Sequence, residues 1–158
     1  MKSASGGPEE GDAAPDFELQ SSEGGTVRLS SLRGKKVVVY FYPADDTPGC
    51  TREACSFRDN MPKFTGVKAA VFGVSQDDME SHRKFIAKYG LNFPLLSDPD
   101  LVAHKAYGTW KLKSMYGREF WGTERSTFIV DEKGKVAKAW RKVKVDGHDA
   151  EVLKALGA

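Results

Sequence analysis

Cysteine is scarce: 158 residues hold only Cys50 and Cys55. A secreted disulfide scaffold would carry more of them, spread along the chain. Four residues separate the pair, so the CxxC spacing of dithiol oxidoreductases is absent. Two ligands this close do not complete a four-coordinate zinc site, and His82, His104 and His148 are remote in sequence. Long apolar runs are missing too. The longest, Val37 to Tyr42, has six residues, whereas a membrane-spanning helix needs roughly 18. Met1 to Asp12 is Ser, Gly, Pro and Glu-containing, with no apolar signal core. Lys plus Arg is 24 and Asp plus Glu is 22, a net charge of +2. That balance argues against a nucleic-acid binder or a polybasic membrane binder. A soluble protein of the cytoplasm is expected.

With 40% hydrophobic residues, the chain can bury a core of single-domain size. Residues 1–11 read as a flexible tail and residues 12–158 as one domain. Phe17 to Leu19 and Thr26 to Leu29 alternate around Gly24-Gly25, which predicts a hairpin. Val37 to Tyr42 is apolar on both faces, the mark of a central strand in a covered sheet. A helix follows from Cys50, and Pro62 predicts a kink or an end near Asn60. Val67 to Ser75 is a second buried strand. Met79 to Tyr89 is an amphipathic helix stopped by Gly90. Thr109 to Gly122 suggests a hairpin turning at Tyr116-Gly117. Two further strands join through Asp131 to Gly134, and Ala150 to Leu156 closes as a helix. This order predicts an α/β fold: a mixed central sheet flanked by helices, with an N-terminal hairpin.

The informative stretch runs from Tyr42 to Cys55. It sets Cys50 just beyond a central strand, at the first turn of a helix, where open α/β sheets place their sites. A free cysteine is about 3% thiolate at pH 7, so a reactive one needs its anion stabilised. A helix N-terminus contributes about 1 kcal/mol, or about 2 if partly buried. A further donor or cation must supply the rest. Thr47, three residues upstream, is the nearest donor, while Pro43, Pro48 and Gly49 shape the loop. Residues five apart on a helix have Cα atoms roughly 8.7 Å apart, beyond the ~7 Å a disulfide tolerates. Cys50 and Cys55 therefore either never pair or pair only when the helix unwinds.

Elsewhere simpler roles are expected. The three histidines read as surface or helix residues rather than ligands. Trp110, Trp121 and Trp140 read as core residues, with the lining of a pocket the alternative for Trp110 and Trp121. Lys138, Arg141, Lys142 and Lys144 form a solvated strand face. Glu53 is expected to pair with Arg52 or Arg58 on its own helix, with orientation of Arg125 the weaker alternative. Arg125 opens a core strand and offers a permanently charged fork of donors, although the residues alone do not set it apart from other arginines.

The run Pro43-Ala-Asp-Asp-Thr47-Pro-Gly-Cys50 resembles the active-site loop of peroxiredoxins. The continuation Thr-Arg-Glu-Ala-Cys55 resembles the bacterioferritin comigratory protein, or peroxiredoxin Q, subfamily, as do Arg58-Asp59 and Arg125-Ser-Thr-Phe-Ile-Val-Asp. The likeness spans about Asp12 to Leu156. It implies a thioredoxin-like fold and a thiol peroxidase needing no metal or other cofactor. Cys50 would be the peroxidatic cysteine and Cys55 the resolving one, with Thr47, Pro43 and Arg125 around the peroxide. The resemblance implies sulfenic acid formation, a Cys50–Cys55 disulfide, recycling by thioredoxin, and a monomer. The alternatives are a thiol–disulfide oxidoreductase on the same fold and a non-enzymatic redox sensor.

Overall fold

The computed structural model describes residues 6–158. Among the described residues, nine strands and five α-helices follow along the chain: β1 (Glu18–Ser21), β2 (Thr26–Arg28), β3 (Lys36–Phe41), α1 (Pro48–Asp59), α2 (Met61–Gly66), β4 (Ala69–Ser75), α3 (Met79–Tyr89), β5 (Leu95–Ser97), α4 (Val102–Ala106), β6 (Trp110–Met115), β7 (Arg118–Thr123), β8 (Ser126–Val130), β9 (Val136–Trp140) and α5 (His148–Ala155). Seven strands form one mixed sheet in the order β2-β1-β5-β4-β3-β8-β9, while β6 and β7 stand apart as a hairpin. β3 pairs in parallel with β4 and antiparallel with β8. It is therefore hydrogen-bonded on both edges, as its continuous apolar run requires.

The period-two alternation of β3 sorts its side chains between two cores. Val38 and Tyr40 join Phe57, Phe64, Phe85, Val152 and others beneath α1, α2, α3 and α5. Val37, Val39 and Phe41 join Phe17, Tyr107, Phe128 and others on the opposite face, which α4 and the N-terminal segment cover. Tyr40 stacks on Phe57 of α1 at a centroid separation of 4.8 Å. On β4, a Cβ at Gly73 would stand 2.9 Å from the Tyr40 hydroxyl and 2.8 Å from Leu95 Cδ2. Glycine there makes room for the tyrosine that floors α1.

α1 begins at Pro48, whose missing N–H costs nothing at a first helical position. It ends at Asn60, and Pro62 opens α2 one residue inside its start. The expected break is thus a restart, with two short helices in place of one kinked helix. α3 is capped by Asp78, whose carboxylate accepts from Ser81 N at 2.9 Å, and ends in a left-handed Gly90.

Three expectations need correction. Of the tail expected over residues 1–11, residues 1–5 lie outside the described residues, but Gly7 and Pro8 are buried. Gly11 N donates to Val136 O, Ala13 bridges to Lys135, and Arg141 donates to Pro8 O. This segment covers the open edge of β9, which would otherwise expose unpaired backbone groups. Arg141 accordingly leaves the expected solvated face and donates to the carbonyls of Tyr107 and Gly108 as well. Trp121 is 59% exposed, because the β6–β7 hairpin stands apart from the main sheet and neither Trp121 nor its neighbour Phe120 on the other face is buried. Among the described residues no helix is long and apolar enough to cross a membrane.

Candidate active site

The antiparallel register of β3 and β8 sets the geometry. Phe41, the last residue of β3, lies opposite Ser126, the first of β8. Arg125 therefore emerges where the loop beyond β3 turns into α1. Its backbone is fixed there, since Val143 N donates to Arg125 O at 2.9 Å. The guanidinium crosses the first turn of α1, so close that a Cβ at Gly49 would stand 3.3 Å from Arg125 Nη2. From there Nη2 donates to Cys50 Sγ at 3.3 Å and Nη1 donates to Glu53 Oε1 at 2.6 Å. One rigid fork thus holds two partners three residues apart on a single helix face.

Cys50 is buried and Cys55 half-buried, and both are free thiols within α1. The first backbone bond of the helix runs from Thr51 N to Thr47 O at 2.8 Å. The N–H groups of Gly49 and Cys50 precede it, at the positive end of the helix dipole. Together with Arg125 they favour a negative charge at or beside the sulfur. Thr47 sits at the N-cap, but its side chain does not cap the helix. Its hydroxyl donates to Ala44 O at 2.9 Å rather than to the sulfur, which corrects the expected donor role. A hydroxyl has one hydrogen, so Thr47 Oγ1 is left with lone pairs to offer. Pro43 is half-buried at the start of the same loop. The structure thus places Cys50, Arg125, Thr47 and Pro43 around the end of β3, with Cys55 five residues along α1.

Glu53 takes the weaker of its two expected roles. It pairs with Arg125 across 72 positions of sequence rather than with Arg52 or Arg58. One signal pointed inward: Glu53 follows Cys50 by three residues and adjoins Ala54 on the buried face of α1. Its side chain is 1% exposed and its Oε2 has no hydrogen-bond partner. Burial pushes the Glu53 carboxyl up to about 7, against the pull of the Arg125 guanidinium. The 2.6 Å contact alone would argue for the opposite shift. We side with burial, because half of the carboxylate's lone-pair capacity is buried unanswered. Desolvation also acts on Arg125, yet Glu53 and the Cys50 sulfur together hold it above its ordinary value.

A carboxyl raised on folding takes up protons as the chain folds. Its contribution to stability is fully present below about 4.5 and lost as pH rises through about 7. Wild-type protein should lose on the order of 3 kcal/mol across that window through this group. Glu53→Gln should flatten the slope of urea stability between pH 5 and 8. An unchanged slope would show that Glu53 is not the titrating group.

The remaining polar burial lies in the histidines. All three are on helices, as expected, but none is at the surface: His82 and His104 are fully enclosed and His148 is 2% exposed. Beyond Arg125 the wall opens into a cleft of about 870 Å³, lined by Leu112, Met115 and Phe120 of the hairpin, Val143, and the cations Lys113 and Lys142. Among the described residues no group of His, Cys, Asp or Glu side chains has the arrangement of a metal site.

Known proteins resemble this chain over most of its length. The AhpC/TSA family profile matches residues 10–139. The chain is 50% identical to peroxiredoxin Bcp of Bacillus subtilis over 146 residues, 92% of this chain and 93% of that one. A structure of the bacterioferritin comigratory protein of Xanthomonas campestris, solved as trapped intermediate and ligand complexes to study its alkyl peroxide reduction, superposes with a TM-score of 0.86 at 45% identity, covering 89% and 90% of the two chains. A cysteine-to-serine mutant of Xylella fastidiosa PrxQ superposes with a TM-score of 0.90 at 40% identity, covering 94% and 95%.

Proposed function

The chain belongs to the AhpC/TSA family and is a thiol peroxidase of the Bcp/PrxQ peroxiredoxin kind, and on that premise we propose how its own residues divide the reaction. Cys50 is the peroxidatic cysteine. Its thiolate attacks one oxygen of ROOH, the O–O bond breaks, and the other oxygen takes up a proton and leaves as ROH. The sulfur is oxidised to a sulfenic acid. Arg125 and the N–H groups at the start of α1 stabilise the charge that moves onto the leaving oxygen. Thr47, its own hydrogen given to Ala44 O, accepts the hydrogen of the incoming hydroperoxide. Pro43 closes the loop side of the site. The cleft beyond Arg125 has apolar walls suited to the R group of an alkyl hydroperoxide.

The Cys50 sulfenic acid then condenses with the Cys55 thiol, releasing water and forming a disulfide within one chain. Because both cysteines lie inside α1, the first turns of that helix must unwind for this step. A dithiol reductant of the thioredoxin type returns both sulfurs to thiols by exchange. The protein acts as a monomer in the cytoplasm.

The observation that carries this reading is the 3.3 Å hydrogen bond from Arg125 to the Cys50 sulfur at a helix N-terminus. A stopped-flow measurement tests it. Reduced protein should lose the Cys50 thiol to peroxide at least 100-fold faster than free cysteine at the same pH, the gain expected from one well-placed group of charge-stabilising donors. A rate equal to that of free cysteine ends the peroxidase reading, and reduction of protein disulfides in its place would favour the oxidoreductase.

A further inference from the structure

Between Pro43 and Thr47 the active-site loop carries Asp45, whose side chain is only 4% exposed. Its carboxylate gathers three groups. Tyr42 Oη donates to Oδ1 at 2.6 Å, Ser81 Oγ donates to Oδ2 at 2.8 Å, and His82 Nδ1 lies 2.7 Å from Oδ2. Burial keeps the Tyr42 phenol well above its usual range, so it retains its proton and is a donor here. The far side of the imidazole is fixed as well: His82 Nε2 lies 3.0 Å from Leu96 O. A carbonyl only accepts, so Nε2 carries a hydrogen and donates it. His82 thus links the loop to β5 through α3, at a point with no access to water. The loop backbone is tied in parallel, Asp45 N donating to Asp77 Oδ2 at 2.8 Å.

A second tie from the loop to α3 exists at the surface. Asp46 accepts from Lys88 Nζ at 2.8 Å and from Tyr89 Oη at 2.7 Å. Those side chains are about half-exposed, and solvated pairs of this kind contribute little. The buried Asp45–His82 link is the stronger of the two restraints.

We propose that His82 is a positioning residue: through Asp45 it clamps the active-site loop to α3 and β5, so that Pro43 and Thr47 keep their places beside the Cys50 sulfur while the first turns of α1 are free to unwind. The inference rests on the peroxidase reading of Cys50. It adds a residue that touches neither peroxide nor sulfur. Asp45 sits two residues from each of Pro43 and Thr47, so release of its carboxylate would move both, and an error of about 1 Å in a reacting group costs up to 100-fold.

Two substitutions separate clamping from mere filling of space. In His82→Asn the amide nitrogen falls where Nδ1 stood, keeping the link to Asp45 and losing Leu96. In His82→Gln the amide nitrogen falls where Nε2 stood, keeping Leu96 and losing Asp45. Glutamine also fills more of the cavity, so a purely structural role favours His82→Gln. Clamping predicts the reverse order for the second-order rate of Cys50 oxidation by hydrogen peroxide. His82→Asn should stay within about threefold of wild type, and His82→Gln should fall about tenfold or more. Disulfide formation after oxidation should not slow in either. Rapid quench with mass detection reads both steps, and urea titration reads the stability of each variant. Equal rates, or a faster His82→Gln, would overturn the clamp. Wild-type Cys50 that reacts no faster than free cysteine would instead sink the underlying peroxidase reading, an outcome seen before any variant is made.

Discussion

Replacing Cys50 with serine should bring peroxide consumption down to that of buffer, while replacing Cys55 with serine should leave one rapid equivalent per chain and then stop. The asymmetry follows from where the two sulfurs sit. Cys50 is beneath the Arg125 guanidinium, at the dipole end of α1. Cys55 lies five residues further along the helix and is half-buried, away from the dipole end. A serine hydroxyl at position 50 is far too weak an acid to attack an O–O bond at neutral pH, so no partial activity survives. With serine at position 55, the sulfenic acid on Cys50 has no thiol to meet. The chain should gain the mass of one oxygen, and turnover driven by thioredoxin should cease. Continued turnover in Cys55→Ser would remove Cys55 from the cycle and move the resolving step to a thiol on another molecule, since only two cysteines are present.

Arg125→Ala carries the next largest effect. Loss of one charge-stabilising donor at a developing oxyanion costs about 100- to 1,000-fold in rate. The same substitution also strands the Glu53 carboxylate, whose only hydrogen-bond partner among the described residues is Arg125. Removing one member of a buried pair is commonly destabilising by about 3–5 kcal/mol. Here the cost should be smaller at low pH, because a carboxyl already raised to about 7 escapes by taking up a proton. Stability and rate can therefore be separated. The double variant Arg125→Ala, Glu53→Gln should recover stability at pH 8 without recovering the rate of peroxide attack. If the rate returns together with stability, Arg125 acts by holding the fold and not at the sulfur. Arg125→Lys should be intermediate, since an ammonium cannot reach Sγ and Oε1 with the geometry of a planar fork.

Much of this site could be read in the sequence, because its parts are local. The apolar run of β3, the Pro and Gly loop and the cysteine at a helix start lie within about 15 consecutive residues, and each announces itself by period or by turn chemistry. α3 was equally plain, with its amphipathic period and Gly90 after it. What escaped was pairing between distant elements. Glu53 reads first as one more helical carboxylate, and its pairing with Arg125 stands only as the weaker expectation until the start of β8 brings the two together. His82 reads as a polar helix residue until the loop and β5 close around its two nitrogens. A polar side chain on the inward face of an amphipathic helix breaks the apolar pattern without naming its partner. Trp121 failed in the other direction. Large aromatic residues usually fill cores, but a two-stranded hairpin outside the main sheet has too little cover to bury one.

The restart at Asn60 has a thermal consequence. Upstream of it, the stretch between Cys50 and Cys55 buries little apolar surface, since Glu53 and Ala54 are its enclosed side chains. Past Cys55, Phe57 near the end of α1 and Phe64 in α2 lock into the core. The segment asked to melt in each redox cycle is thus separate from the segment that keeps the molecule folded. Heating should first speed the exchange between coiled and uncoiled forms of that short stretch, well before the body of the protein gives way, so the temperature at which turnover is fastest and the temperature of collapse are set by different residues.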